Sequence, residues 1–120
     1  MRTTDDHVKQ AQLNREMLEQ LPARRFDWQI TVCFYTALHW MNAVTRRMGK
    51  PEAQDHTQTF QNILEARLPP EVRKAYQDLF AFSMDARYEC FAVDSLEEIC
   101  TVSLLRLERI ETYARGILKV

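Results

Sequence analysis

The sequence predicts an all-α protein: an up-and-down bundle of four long helices and one short helix, forming a single domain over residues 1–120. Two observations predict this fold. Only two glycines and four prolines occur in 120 residues, so residues that form turns are scarce. Apolar residues also recur at helical spacing, and the run from residue 28 to residue 48 is apolar around most of its circumference. A helix this apolar is buried on most sides, so we expect it at the centre of the bundle.

The first helix is predicted over residues 5–21, because Thr4, Asp5 and Asp6 offer side-chain oxygens and negative charge at its start. Its apolar arc consists of Val8, Ala11, Met17, Leu18 and Leu21. Pro22 stands just beyond its end. The linker of residues 22–26 is short, which predicts that the first two helices are antiparallel neighbours.

The second helix is predicted to begin near Asp27, a natural N-cap, and to run to residue 48. Gly49 then supplies the left-handed residue that commonly ends a helix. The polar side chains that form a clear wedge on this helix are Gln29, Thr36 and Arg47. Tyr35 and His39 lie one turn apart along one edge, so we expect both to project towards the same neighbour.

The third helix is predicted over residues 56–67, with Asp55 as its cap. Its inward-facing side chains are Phe60, Ile63 and Leu64. The fourth helix is predicted over residues 70–88, because Pro70 fits the first position of a helix. Four of its side chains are spaced by four, three and four residues, which places them on one side: Tyr76, Phe80, Ser83 and Arg87.

Residues 90–94 are predicted to form a connector. Ser95 and Glu98 then match the capping-box pattern that opens the fifth helix. A narrow seam follows at four-three spacing: Leu96, Cys100, Ser103, Leu107, Ile110, Ala114 and Ile117. A seam of this kind packs against helices inside a bundle or against a second copy in a dimer, and the pattern is the same in both cases.

Composition restricts the function classes. The net charge of −1 argues against a broad basic surface for non-specific nucleic-acid binding, although a local basic patch is compatible with it. The first ten residues lack the apolar core of a signal peptide, and no run is long and apolar enough to span a membrane. The three cysteines, Cys33, Cys90 and Cys100, match neither a disulfide framework nor a zinc site. We therefore expect a cytoplasmic protein with no cofactor.

Two histidines are candidates for chemistry. His39 could act as an acid or base with its tautomer fixed by a neighbour, or it could be a core histidine bonded to a structural acceptor. His56, near the start of the third helix, could belong to a site or could be solvated there. The spacing of these two and His7 does not match a metal-binding motif, so no metal is predicted.

A third candidate is the group Tyr76, Ser83, Arg87 and Tyr88. Its arginine could bind a phosphate or a carboxylate, with the tyrosine hydroxyls lining the same pocket. The alternative is an arginine that extends to the surface and pairs with an acidic neighbour such as Glu89 or Asp94.

The order of these motifs resembles the HEPN superfamily, especially its small bacterial members. The second helix contains the letters FYTALHW, and the fourth helix ends in Ser-x-x-Ala-Arg87-Tyr88. The resemblance covers most of the chain. It implies an all-α bundle that dimerises and, in many members, a metal-independent endoribonuclease of a toxin or defence system. In some members it also implies a nucleotidyltransferase partner.

The catalytic signature of that superfamily is an arginine followed, after four to six residues, by a histidine. Arg87 fits the arginine, but Ala92, Val93 and Asp94 stand where the histidine would be. Three hypotheses result. The first is a binding module for RNA or a nucleotide, whose site consists of Tyr35, His39, His56, Tyr76, Ser83, Arg87 and Tyr88. The second is an endoribonuclease that uses Arg87 with His39 or His56. The third is a purely structural dimer that associates through the fifth-helix seam.

Overall fold

A computed structural model of the chain describes residues 2–88 and 93–120, excluding the side chains of Val93 and Asp94. The described residues form five helices and no strand: α1 Thr4–Gln20, α2 Phe26–Arg47, α3 His56–Glu65, α4 Pro70–Tyr88 and α5 Val93–Leu118. The all-α prediction is therefore confirmed. The bundle measures 41 × 24 × 24 Å, and α5 alone is nearly as long, at about 39 Å for 26 residues.

The central position of α2 is also confirmed, because α2 packs against each of the other four helices. Trp40 of α2 is fully buried, and its indole N–H donates to a carboxylate oxygen of Glu111 in α5 at 3.2 Å. The predicted polar wedge is wrong at Thr36, which is fully buried. Its hydroxyl donates to the carbonyl of Val32 at 2.7 Å, so the polar group is satisfied inside its own helix.

Two helices start one or two residues earlier than predicted. The cap of α1 is Thr3, whose hydroxyl accepts from the backbone N–H of Asp6 at 3.2 Å, while the Asp6 carboxylate accepts from the N–H of Thr3 at 2.9 Å. Asp27, predicted as the cap of α2, lies within its first turn instead. There its carboxylate pairs with Arg25 at 3.1 Å. The reciprocal hydrogen bonds of Thr3 and Asp6 explain why α1 starts earlier.

Other boundaries agree with the sequence. The Asp55 carboxylate caps α3 by accepting from the backbone N–H of Gln58 at 2.8 Å. Gly49 follows α2 with φ +87°, as expected of a glycine that ends a helix. α4 has the predicted bounds, Pro70–Tyr88, whereas α3 ends at Glu65, two residues earlier than predicted.

The start of α5 corrects the capping-box prediction, since the helix already includes Val93 and Ser95 lies within it. The predicted connector is therefore wrong at residues 93 and 94, and its remaining part, residues 90–92, lies outside the described residues. Six seam residues are buried in the chain: Leu96, Cys100, Ser103, Leu107, Ile110 and Ala114. Because α5 packs against α2 and α4, this seam is an internal contact and is not available to a second copy.

Three side chains predicted to face the core are partly exposed: Met17, Leu64 and Ile117. Each lies at the edge of an apolar arc, where neighbouring helices do not cover it. Within the described parts of the chain, no helix combines the length and the apolar character needed to cross a membrane.

Candidate functional site

A cavity of about 330 Å³ opens where the middle of α2 faces the start of α3 and the end of α4. We name it the Arg87 cavity. Its charged, imidazole and aromatic lining includes Arg2, Tyr35, Asp55, His56, Phe80 and Arg87. Three of the predicted site residues thus meet at one opening, although 52 residues separate Tyr35 from Arg87 in the sequence.

Arg87 is held in place by uncharged groups. Its Nη1 donates to the Tyr35 hydroxyl at 3.0 Å, and its Nε and Nη2 donate to the carbonyl and the hydroxyl of Ser83, each at 3.2 Å. Ser83 is fully buried, and its hydroxyl donates to the carbonyl of Phe80 at 2.8 Å. Because the Ser83 oxygen is fixed in this way, the guanidinium plane is fixed as well.

The alternative interpretation of Arg87 was an ion pair with Glu89 or Asp94. Glu89 and the side chain of Asp94 lie outside the described residues. Among the described residues, all hydrogen-bond partners of Arg87 are uncharged. Its positive charge is therefore not neutralised by those contacts.

His56 occupies the wall of the same cavity, in the first turn of α3. Its ring stacks on Phe80, with ring centroids 3.6 Å apart and planes 8° apart. Its Nδ1 lies 2.9 Å from the Tyr76 hydroxyl. Burial lowers the pKa of His56, and the positive charge of Arg87 lowers it too, whereas Asp55 raises it. The neutral imidazole is thereby favoured near pH 7.

Tyr76 lies behind this wall and is fully buried. Burial raises the pKa of its hydroxyl, and a hydrogen bond with Thr59 opposes that rise. The Thr59 hydroxyl in turn donates to Asn42 at 2.9 Å. Tyr76 therefore fixes the Nδ1 side of His56, which leaves Nε2 as the nitrogen available to a ligand.

His39 does not line the Arg87 cavity, so the expectation that it shares a pocket with Tyr35 and Arg87 is wrong. It belongs to a second group, the buried histidine cluster of His7, His39 and Glu52. The Nδ1 atoms of His7 and His39 are 3.0 Å apart, and His7 Nε2 lies 3.1 and 3.2 Å from the two oxygens of Glu52. Burial, with the nearby His7 and Arg2, lowers the pKa of His39 to about 4.

The outer side of Arg87 carries aromatic rings. Its guanidinium carbon is 5.6 Å from the ring centroid of Tyr35 and 5.3 Å from that of Tyr88. Tyr88 is 64% exposed, so it contacts the site only from the solvent side. A second, smaller cavity of about 140 Å³ lies next to Arg87 and is lined by Trp28 and Thr31. Arg87 thus stands between two openings, one of which has an exposed tryptophan at its edge.

No family model matches this chain, and neither does any curated protein or any solved structure. Its chemistry must therefore be derived from its own side chains. Within residues 2–88 and 93–120, no group of three or more histidine, cysteine, aspartate and glutamate side chains is arranged to hold a metal ion.

Sequence reasoning did not identify Arg2, Glu52 or His7 as site residues. For His7 a signal was present, because it precedes Val8, Ala11, Asn14 and Leu18 at spacings that share one face, and all of these residues are buried. Arg2 and Glu52 lie outside helices. No periodicity therefore indicates which way their side chains point.

Proposed function

We propose that the chain is a HEPN-like helical bundle that acts as a binding module for RNA or for the phosphate of a nucleotide. The observation that supports this proposal best is the Arg87 guanidinium, fixed at a cavity opening by the uncharged groups of Tyr35 and Ser83. An oriented arginine whose hydrogen-bond partners are uncharged is suited to phosphate oxygens, because its N–H groups match their geometry.

The surroundings of Arg87 suit a nucleotide better than a simple anion. Tyr35 is 39% exposed and Trp28 is 52% exposed, and each lines a cavity next to the guanidinium. Exposed aromatic faces beside a phosphate-binding cation are the usual way in which proteins hold unpaired bases. A single site of this kind is compatible with the overall net charge of −1.

A second candidate function is a metal-independent endoribonuclease, and one observation favours it specifically. His56 lines the same cavity as Arg87, and its lowered pKa keeps the ring neutral near pH 7. When His56 Nδ1 carries the hydrogen and donates it to the Tyr76 hydroxyl, Nε2 can accept a proton from a ribose hydroxyl while an arginine stabilises the phosphate charge. His56 would then replace the histidine that is missing after Arg87, whereas His39 is engaged elsewhere.

The dimeric state and a nucleotidyltransferase partner belong to this proposal, because the HEPN resemblance implies them. The cytoplasmic location belongs to it as well, as the expectation from the N-terminus and the cysteines. The structural-dimer hypothesis used the α5 seam as the dimer contact, but that seam is buried within one chain. A homodimer would therefore have to use another surface.

The test is the binding of a short, fluorescently labelled single-stranded RNA, measured by anisotropy in the presence of EDTA. We expect Arg87→Ala to weaken binding tenfold or more, since charge-assisted hydrogen bonds contribute about 1.5–3 kcal/mol. Arg87→Lys should recover only part of the loss, because lysine cannot make paired contacts. Arg47→Gln, which changes an exposed arginine of α2 by the same charge, is the matched control and should bind as the unchanged protein does.

The same samples, analysed on a denaturing gel, separate the two candidate functions. Cleavage that persists in EDTA and is lost in His56→Ala would establish the endoribonuclease. RNA binding that depends on Arg87, without cleavage, would establish the binding module. Equal losses in Arg87→Ala and Arg47→Gln, or no binding by the unchanged protein, would refute both.

A further inference from the structure

Asn42 of α2 is a buried amide in the wall of the Arg87 cavity. The residue is only 4% exposed, and its Oδ1 accepts from the Thr59 hydroxyl of α3 at 2.9 Å. Among the described residues, no acceptor lies within hydrogen-bonding distance of its Nδ2. That nitrogen is not sealed inside the protein, so it opens into the cavity that Asn42 lines. Its hydrogens are therefore available to a ligand.

A row of α2 side chains shows how far the cavity extends. Tyr35, Leu38 and Asn42 all line it, and their spacing of three and four residues places them on one face of the helix. Tyr35 holds Arg87 at the start of this row. The helix rises by roughly 10 Å from Tyr35 to Asn42. A phosphate bound at Arg87 would therefore leave the Asn42 end of the row unoccupied.

The charged side chains near Asn42 favour an uncharged group at that end. The Thr59 hydroxyl that bonds Asn42 also lies 3.2 Å from the carbonyl of Asp55, so Asp55 is a close neighbour, and it lines the cavity too. Its carboxylate opposes a second phosphate there. Arg2, another lining residue, has its Nε 3.4 Å from a carboxylate oxygen of Glu52. A neutral heterocycle with a hydrogen-bond acceptor suits these surroundings better than a second anion.

We propose that the base of a nucleotide enters the Arg87 cavity and accepts a hydrogen bond from Asn42 Nδ2, while the phosphate lies at Arg87. Carbonyl oxygens and unprotonated ring nitrogens of the bases supply the acceptor. The ligand class is thus a nucleotide with its base enclosed, as opposed to a sugar phosphate. This inference rests on the proposed function, because it takes the phosphate site at Arg87 as given.

The experiment titrates the full chain, labelled with nitrogen-15, and follows binding in two-dimensional NMR spectra. The ligands are ribose 5-phosphate and the four common nucleoside 5′-monophosphates. We define the base preference as the affinity of the tightest-binding nucleotide divided by that of ribose 5-phosphate. We expect a base preference of about tenfold or more, because an enclosed base adds stacking and hydrogen bonding to the contacts of the phosphate.

Asn42→Leu removes the amide and keeps the approximate size of the side chain. The Thr59 hydroxyl retains an acceptor in this variant, the carbonyl of Asp55. We expect the base preference to fall by roughly threefold to tenfold, the equivalent of one net hydrogen bond. The affinity for ribose 5-phosphate should not change.

Asn14→Leu is the matched control. Asn14 of α1 is 8% exposed, and its Oδ1 also accepts from a neighbour, Gln10 Nε2 at 2.9 Å. Asn14 does not line the Arg87 cavity. This variant should therefore keep the full base preference.

The side-chain amide signals of the unchanged protein give a second measurement, which does not depend on the folding of a variant. We expect the Asn42 signals to shift when the nucleotide is added and to stay in place with ribose 5-phosphate. The Asn14 signals should move with neither ligand. A purely structural role would lower the melting temperature of Asn42→Leu and leave both the base preference and the Asn42 signals unaffected, which would overturn the inference.

The base site and the phosphate site fail in different ways. Arg87-dependent binding without a base preference, or with a preference that persists in Asn42→Leu, would overturn the base site alone. A preference that is lost in Trp28→Ala and kept in Asn42→Leu would place the base in the small cavity instead, and would also overturn it. If no nucleotide binds, or if Arg87→Ala binds as the unchanged protein does, the phosphate site is overturned and the base site with it.

Discussion

The three histidines of this bundle lie in two polar groups that differ in exposure. In the buried histidine cluster, His7 is bonded to His39 and to Glu52, and both rings are buried while the carboxylate is partly buried. In the Arg87 cavity, His56 is bonded through Nδ1 to Tyr76 among the described residues, and Arg87 is held by uncharged partners at an opening. The difference indicates that the first group stabilises the fold, whereas the second group retains hydrogen-bonding capacity for a ligand.

The largest expected difference between the two groups is in stability. His7→Ala removes a buried ring and leaves polar atoms of His39 and Glu52 without a partner, so we expect the free energy of unfolding to fall by about 4 kcal/mol. Arg87→Ala should lower it by less than about 1 kcal/mol, because that side chain lies at the opening. Urea denaturation measures both values. Similar losses in the two variants would mean that both groups are structural.

The sequence predicts the members of these two groups to different extents. Tyr76, Ser83 and Arg87 were identified because α4 is a regular helix, and three or four residues of spacing place side chains on one side. The prediction that His39 shares a pocket with Tyr35 was wrong for a geometric reason, because residues four apart on a helix differ by about 40° in direction. Tyr35 therefore reaches Arg87 of α4, whereas His39 meets His7 of α1.

The sequence could not predict the residues that complete each group. Glu52 lies in the segment between α2 and α3, and Arg2 precedes α1. Both are placed by tertiary contacts and not by helical spacing, so nothing in a single sequence connects them to His39 or Arg87. The helix starts were predicted only to within a few residues for a different, local reason. Several neighbouring side chains could serve as caps.

A second difference between the groups should appear in the pH dependence of stability. The pKa of His39 is about 4 in the fold, compared with its usual 6.5, so the unfolded chain takes up this proton first as the pH falls. The stability from the neutral ring is fully present above about pH 6.5 and is lost as the pH falls towards 4, a loss of roughly 3 kcal/mol.

This dependence is measured by urea denaturation between pH 7 and pH 4. In His39→Asn the loss over that range should be clearly smaller, because the asparagine does not titrate. In His56→Asn most of the loss should remain, since His56 is only partly buried. If His39→Asn and the unchanged protein lose stability in parallel, the lowered pKa of His39 does not contribute to the pH dependence.

The smallest expected effect concerns how His56 is oriented. Tyr76→Phe removes the hydroxyl 2.9 Å from His56 Nδ1 and should cost about 1 kcal/mol of stability. The imidazole nitrogen chemical shifts of His56 should change in the NMR spectrum, and those of His39 should not. Tyr88→Phe, which alters a largely exposed side chain, is the control. Unchanged His56 shifts in Tyr76→Phe would show that Tyr76 does not fix its tautomer.

The positions of the two tryptophans have a practical consequence for all of these measurements. Trp40 is enclosed in the core beside Glu111, so its fluorescence emission reports the loss of the folded state. Trp28 lies at the surface and lines the small cavity next to Arg87, so quenching of its emission reports on ligands there. The chain contains only these two tryptophans, and Trp28→Phe or Trp40→Phe therefore gives a protein with a single tryptophan whose emission can be assigned to one place.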